Sequence, residues 1–259
     1  LERRKAECYN REEGTLNQQD NYNCPLCRNR GKTVELVMED GEEKAKFFEC
    51  RCMNVRSTIA RMQRSGRQDV ISKYTLDSFL VENDFQRTLK EAAQGYLKAG
   101  TGWFFIGGQS GCGKSHIGTA IFRELLLAGK TCRYMAWRED APRLKKLLHS
   151  EGDEYCAAVD QFKQAQVLYI DDLFKTGREN GGRFQRPTVA DINLAYEILN
   201  YRADRPKLRT ILSSECLLEQ LIEIDEAIGG RIAELSAPYV FSISPDRTKN
   251  YRLRGMGTL

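Results

Sequence analysis

Gly108-Gln109-Ser110-Gly111-Cys112-Gly113-Lys114-Ser115 is the stretch on which the reading of this chain turns. It fits the phosphate-binding pattern G-x-x-x-x-G-K-[ST], with Gly108, Gly113, Lys114 and Ser115 at the fixed positions. Trp103-Phe104-Phe105-Ile106 before it reads as a buried strand. His116 to Leu127 after it reads as a helix, since Ile117, Ala120, Ile121, Leu125 and Ala128 recur with a period near 3.6. Strand, loop, helix is the context in which this motif binds phosphate. Glycines let the backbone fold tightly, and the amides and the positive helix end then face the anion. The residues from Gly108 to His116 are therefore the expected nucleotide site. Lys114 reaches the outer phosphates as a point charge, and the Ser115 hydroxyl is a ligand for Mg²⁺.

The second element is Val167-Leu168-Tyr169-Ile170-Asp171-Asp172, an apolar strand ending in two acids. Asp171 is placed to hold hydrated Mg²⁺ together with Ser115. Asp172 is placed to orient or deprotonate an attacking water. Further strands are expected at Thr131–Trp137, Arg209–Ser214 and Tyr239–Ile243. Ser214 ends one of them and can hydrogen-bond a γ-phosphate; Ser213 beside it is an equal alternative, and either also suits a turn. Helices are expected at Phe85–Lys98, Pro142–Leu148, Val189–Tyr201 and Leu217–Ile224. Gly229-Gly230 reads as a tight corner from which Arg231 leads a new helix. Arg231 is then either a surface ion-pair residue or a cation reaching a neighbouring subunit's nucleotide. Lys175–Thr188, with three glycines and four basic residues against one acid, reads as a surface loop.

Residues 1 to about 72 read as a separate module. Cys24-Pro-Leu-Cys27 and Cys50-Arg-Cys52 flank two short strands, Thr33–Met38 and Ala45–Glu49, with Asp40-Gly41 as the turn between them. Two close cysteine pairs joined by a hairpin suit tetrahedral Zn²⁺, with reduced or redox-active thiols as the alternative. A module this small builds little core, so metal binding would supply its folding energy. A basic run follows, with Arg51, Arg56, Arg61, Arg64, Arg67 and Lys73 against Asp69. It reads as a helix with a Val55, Ile59 and Met62 stripe and a solvated face, the alternative being a nucleic-acid contact. Ser65-Gly66 reads as the linker to residues 73–259.

The rest of the composition excludes more than it specifies. The chain has 259 residues, 29 % charged and 41 % hydrophobic, with net charge +4. No apolar run reaches membrane-span length, and the charged opening LERRKAEC speaks against a signal peptide. Nine dispersed cysteines, an odd count, point to a reducing cytoplasm rather than a disulfide framework. Leu1 stands where a start Met would be, which leaves room for upstream residues.

The order of elements resembles that of AAA+ ATPases, and more narrowly the bacterial and phage replicative-helicase loaders, the DnaC/DnaI-like group, with the transposition helper IstB as a relative. GQSGCGKS, LYIDDLFK, ADINLAYEILNYR, TILSSE, IDEAIGGRIAEL and KNYRLR carry the resemblance. It implies a three-layer α/β fold, a five-stranded parallel sheet with the P-loop strand central, preceded by a small zinc module that docks on the helicase. It implies Arg231 as an arginine finger acting in trans and a serine at 213 or 214 as sensor 1. It implies that ATP binding drives self-association, and that the assembly places a replicative DNA helicase on single-stranded DNA. An extra helix is expected within Pro142–Gln164. Three positions depart from the pattern: Asp172 stands where many relatives carry Glu, Glu215 where many carry Asn, and a helical lid with its sensor 2 arginine is missing. A transposition helper and a nucleotide-gated adaptor with little hydrolysis stay open as alternatives.

Overall fold

The computed structural model describes residues 2–20, 22–39, 41–64, 70–148, 153–175, 186–246 and 249–251. The Ser65-Gly66 linker, most of the Lys175–Thr188 loop and the last basic residues lie outside them. The chain divides into two compact units, Leu1–Gly66 and Arg67–Leu259.

In the first unit, helices α1 (Glu2–Arg11) and α2 (Asn17–Asp20) precede strands β1 (Lys32–Glu39) and β2 (Glu42–Glu49), and α3 (Cys52–Arg64) follows. The strands form the expected antiparallel hairpin, each longer than its apolar residues alone suggest. Val55, Ile59 and Met62 form the buried stripe of α3.

The second unit begins with α4 (Val70–Lys73), α5 (Asp84–Ala99), β3 (Trp103–Gly108) and α6 (Lys114–Leu127). It continues with β4 (Cys132–Ala136), α7 (Trp137–Leu147), α8 (Glu154–Gln164), β5 (Val167–Leu173) and α9 (Val189–Ala203). It closes with β6 (Arg209–Ser214), α10 (Leu218–Ile224), α11 (Glu226–Ser236) and β7 (Val240–Ile243). The five strands are parallel in the order β4-β5-β6-β3-β7. Residues of β3 and β6 are buried throughout, which is why both read as continuous apolar or small runs rather than alternating ones. β6 is the middle strand, and β3, which feeds the P-loop, lies beside it, flanked by β6 and β7.

Three boundaries differ from the sequence expectation. α7 starts at Trp137 and carries Pro142 inside it, so the proline does not open the helix. Trp137 was assigned to a strand on its apolar character; it is buried against Phe174 at a ring distance of 5.4 Å. The Gly229-Gly230 pair is not a corner. α11 already starts at Glu226, where the Asp225 side chain accepts from the Ile228 N–H, and both glycines are helical.

Gly229 has a packing reason. A Cβ there would lie 2.6 Å from Ile222 Cα of α10, whereas a Cβ at Gly230 meets nothing within 4 Å. Gly229→Ala is therefore expected to lose about 1–3 kcal/mol of stability through overpacking. Gly230→Ala should be neutral or gain up to about 1 kcal/mol through helix propensity. Paired chemical-denaturation midpoints check the contrast.

Candidate nucleotide site and four-cysteine cluster

The loop between β3 and α6 is tied down at both ends. Gln109 N–H donates to the Ile243 carbonyl at 3.1 Å, and Ile117 N–H to the Gly113 carbonyl at 3.0 Å. Gly108 has φ +110°, and a Cβ on it would lie 2.0 Å from the Ile243 oxygen, so only glycine fits against β7. The Gln109 side chain donates to the Asp246 carbonyl at 2.7 Å and accepts from its N–H at 2.6 Å. Further along, Tyr251 N–H donates to the Gly111 carbonyl at 2.9 Å, and Tyr251 hydroxyl to the Leu80 carbonyl at 3.0 Å. Asp246 and Tyr251, both after β7, are thus strapped to the phosphate loop. Nothing in the motif announced it; an amide side chain in the loop, Gln109, was the one available hint.

A cavity of about 290 Å³ opens over the loop and is lined by Ser110, Gly111, Gly113, Lys114, Ser115 and His116. Gly108, Gln109 and Cys112 do not line it. Cys112 turns inward and donates its thiol to the Gln109 carbonyl at 3.0 Å, and burial pushes its pKa up. Lys114 is buried, with Nζ donating to the Gly108 and Gln109 carbonyls at 2.8 Å each. Burial pulls its pKa below the usual value, while the charges of Asp172 and Glu215 oppose that pull. His116 stacks on Tyr74 at 4.6 Å and donates from Nε2 to the Thr75 carbonyl at 2.9 Å. Tyr74, Phe79 and Tyr251 extend the cavity beyond His116 as an aromatic end that the sequence reading missed.

The acids reach the site through a bulge. The β5 register shifts between Ile170 and Leu173 against β6, and Asp172 takes φ +58°. In a regular strand, neighbouring side chains face opposite ways. The bulge instead turns Asp171 toward Ser115, while Asp172 lines the cavity. Asp171 is 1 % exposed. It accepts from Ser115 at 3.5 Å, Tyr169 at 3.0 Å, Tyr134 at 2.9 Å and Ser213 at 2.6 Å. Ser115 and Asp171 are the pair expected around Mg²⁺, and an oxygen donor set of hydroxyl and carboxylate fits that hard cation. Of the two serines, Ser213 joins the acid: its oxygen also accepts the Asp172 N–H at 3.0 Å. Ser214, the other of the two expected sensor serines, instead donates to the Leu173 carbonyl at 2.8 Å.

No protein-family model matches the chain. It is 31 % identical over 254 residues to the phage-like element PBSX protein XkdC of Bacillus subtilis, covering 91 % of this chain and 88 % of that one. It is 25 % identical to the replicative helicase loader DnaC of Escherichia coli over 147 residues, 56 % of this chain and 58 % of that one. A crystal structure of the DnaC helicase loader superposes with a TM-score of 0.51 at 20 % identity, over 66 % of this chain and 98 % of the other. The chain belongs to one family with XkdC, and its second unit has the AAA+ fold of the DnaC helicase loader. That unit is a P-loop nucleotide-binding fold, and Lys114, Ser115 and Asp171 stand at its loop and at the end of β5.

Arg231 of this AAA+ protein does not line the cavity. It sits mid-helix on α11, donating to the Ala227 carbonyl at 3.0 Å, with its guanidinium 5.2 Å from the centre of the Tyr196 ring.

The first unit holds the second candidate site. Cys24, Cys27, Cys50 and Cys52 are buried, and their sulfurs lie within 4.8 Å of one another. Cys24 and Cys50 sulfurs are 3.8 Å apart, Cys27 and Cys52 sulfurs 3.4 Å. Tetrahedral Zn–S bonds of about 2.3 Å set sulfurs about 3.8 Å apart, so four sulfurs gathered this closely are compatible with zinc. Gly31 N–H donates to the Cys27 sulfur at 3.3 Å, and Cys24 N–H to Asn29 Oδ1 at 2.8 Å.

Arg56 corrects the reading of the basic run. It is buried, not solvated, and binds both oxygens of Asp20 at 2.5 and 2.6 Å, the Tyr22 carbonyl and Asn29 Oδ1, each at 3.0 Å. A charge run on a helix shows nothing of this, because the acid partner is distant in sequence. Removing one member of a buried pair strands the other charge. Arg56→Ala is expected to destabilise the first unit by about 3–5 kcal/mol. Exposed Arg51→Ala should shift stability by less than about 0.5 kcal/mol. Hydrogen exchange of the β1–β2 amides reports both.

Proposed function

We propose that this protein binds and hydrolyses ATP and uses the cycle to place a replicative helicase on single-stranded DNA. Lys114, Ser115 and Asp172 share one glycine-lined cavity, with Asp171 and Ser213 hydrogen-bonded behind Ser115, and this arrangement carries the reading. Glycine-loop amides and Lys114 hold the phosphates, while Ser115 and Asp171 hold Mg²⁺. Bound there, Mg²⁺ neutralises charge on the phosphate oxygens. Asp172 orients the attacking water, and Ser213 links it to Asp171 through the backbone N–H. Arg231, remote from its own cavity, acts on a neighbouring subunit's nucleotide, so turnover depends on ATP-driven self-association. Zn²⁺ in the four-cysteine cluster holds the first unit together as the helicase-docking module. The resemblance to loaders supports the partner, and a cytoplasmic place follows from it. No helix among the described residues is long and apolar enough to cross a membrane.

One observation favours a second reading. Asp172 Oδ2 lies 3.0 Å from Lys175 Nζ, and a carboxylate engaged in an ion pair is occupied where it would have to meet a water. An adaptor that binds ATP and hydrolyses it slowly follows from that.

Three outcomes are expected. Co-elution with the host hexameric helicase should require ATP, and its absence with any nucleotide removes the loader role. Arg231→Ala should keep ATP affinity within about twofold and reduce turnover by about 10³-fold or more. Normal turnover by this variant under assembling conditions would falsify the trans role. Native protein should also carry about one zinc per chain, and a chelator that removes it should unfold the first unit.

A further inference from the structure

The nucleotide cavity holds a second ammonium group that the phosphate-loop motif does not include. Lys175 lies just past the β5 bulge, its N–H donating to the Asp172 carbonyl at 2.9 Å. Its Nζ lies 2.8 Å from Glu215 Oε1 and 3.0 Å from Asp172 Oδ2. The three side chains are 28 %, 10 % and 16 % exposed respectively, and all line the same cavity as Lys114. They are within electrostatic reach of Lys114, whose pKa the two acids raise and Lys175 lowers. This end of the cavity therefore contains two cations and two anions, balanced against each other.

A triphosphate on the loop changes the balance and a diphosphate much less. The terminal phosphoryl group adds anionic oxygens beyond the β-phosphate, toward the acids that line the mouth. Its oxygens then compete with two carboxylates for one ammonium. Lys has three rotatable donors on a flexible stem, so its Nζ can exchange one oxygen for another without moving the backbone. The short bond to Asp172, on the bulge itself, keeps the group at the mouth while it exchanges. Building on the ATP reading above, we propose that Lys175 reads the γ-phosphate. It leaves Glu215 for the terminal oxygens of a nucleoside triphosphate and remains on Glu215 when a diphosphate is bound. Glu215, freed of its cation, then faces Arg186, which lines the adjoining hollow with it. The triphosphate and diphosphate states thus differ in the pairing of Glu215.

The test is competition against a fluorescent ADP analogue with the full chain in Mg²⁺, using wild type, Lys175→Ala, Glu215→Gln and Lys114→Ala. Lys175→Ala should weaken ATP about tenfold and ADP less than about twofold, since one charge-assisted contact is lost to the triphosphate alone. Glu215→Gln should strengthen ATP by about threefold and leave ADP unchanged, because the competing carboxylate is gone. Lys114→Ala should lose both nucleotides. If Lys175→Ala weakens ATP and ADP equally, or neither, while Lys114→Ala still loses both, the γ-phosphate role is wrong and the phosphate loop stands. If wild type binds neither nucleotide, the underlying ATP reading falls. If Lys175→Ala does not fold, Glu215→Gln decides: an ATP-to-ADP preference that stays level or drops overturns the proposal.

Discussion

A carboxylate placed in the core must be satisfied, and in this protein Asp171 sets the terms for everything around it. At 1 % exposure it cannot draw on water. Burying such a group without partners is costly. Four hydroxyls meet it instead: Tyr134 from β4, Tyr169 from β5, Ser213 from β6 and Ser115 from α6. These donors fix the spacing of three adjacent strands and the first turn of the phosphate-loop helix. A divalent cation at Ser115 would find its carboxylate already aimed, with no side chain left to reorganise. The same bonding explains the bulge in β5, since a regular strand would send one of the two acids to the wrong face of the sheet.

Much of this was legible in the chain. The buried strands β3 and β5 announce themselves as apolar runs, and the glycine pattern is tied to a mechanism by its spacing. The C-x-x-C and C-x-C pairs pointed to a four-sulfur cage, and the sulfurs do gather. What stayed hidden depends on partners distant in sequence or on backbone conformation. Arg56 reads as one more surface charge until Asp20 is seen beside it. Ser213 and Ser214 are interchangeable on paper, and only the bulge decides which hydroxyl meets the acid. Gly229 reads as a turn signal, yet it is a helical residue made small by the approach of α10. Helix α7 was read as starting at its proline because proline favours first turns, while the strand-like Trp137 concealed the true start.

The strap after β7 bears on how a nucleotide would be enclosed. Gln109, Gly111 and Leu80 receive Ile243, Asp246 and Tyr251 through hydrogen bonds of 2.6 to 3.1 Å. The Tyr251 ring lies 6.0 Å from that of Phe79, beside the His116 and Tyr74 stack. The phosphate loop is thus braced by the end of the fold on one side and by the segment before α5 on the other. Two tethers of this kind hold the loop, and they place Tyr74, Phe79 and Tyr251 in the same cavity as Lys114.

Within the second unit, the hydroxyls bonded to Asp171, the β5 bulge and the tethers after β7 all bear on one cavity, so one measurement tests the account at its root. A calorimetric titration of the full chain with ATP and Mg²⁺ should show saturable binding at one site per chain, lost in Asp171→Asn when Mg²⁺ is required for the signal. A flat titration, with neither heat nor affinity at any ATP concentration the method reaches, would contradict the claim that this loop holds a nucleoside triphosphate.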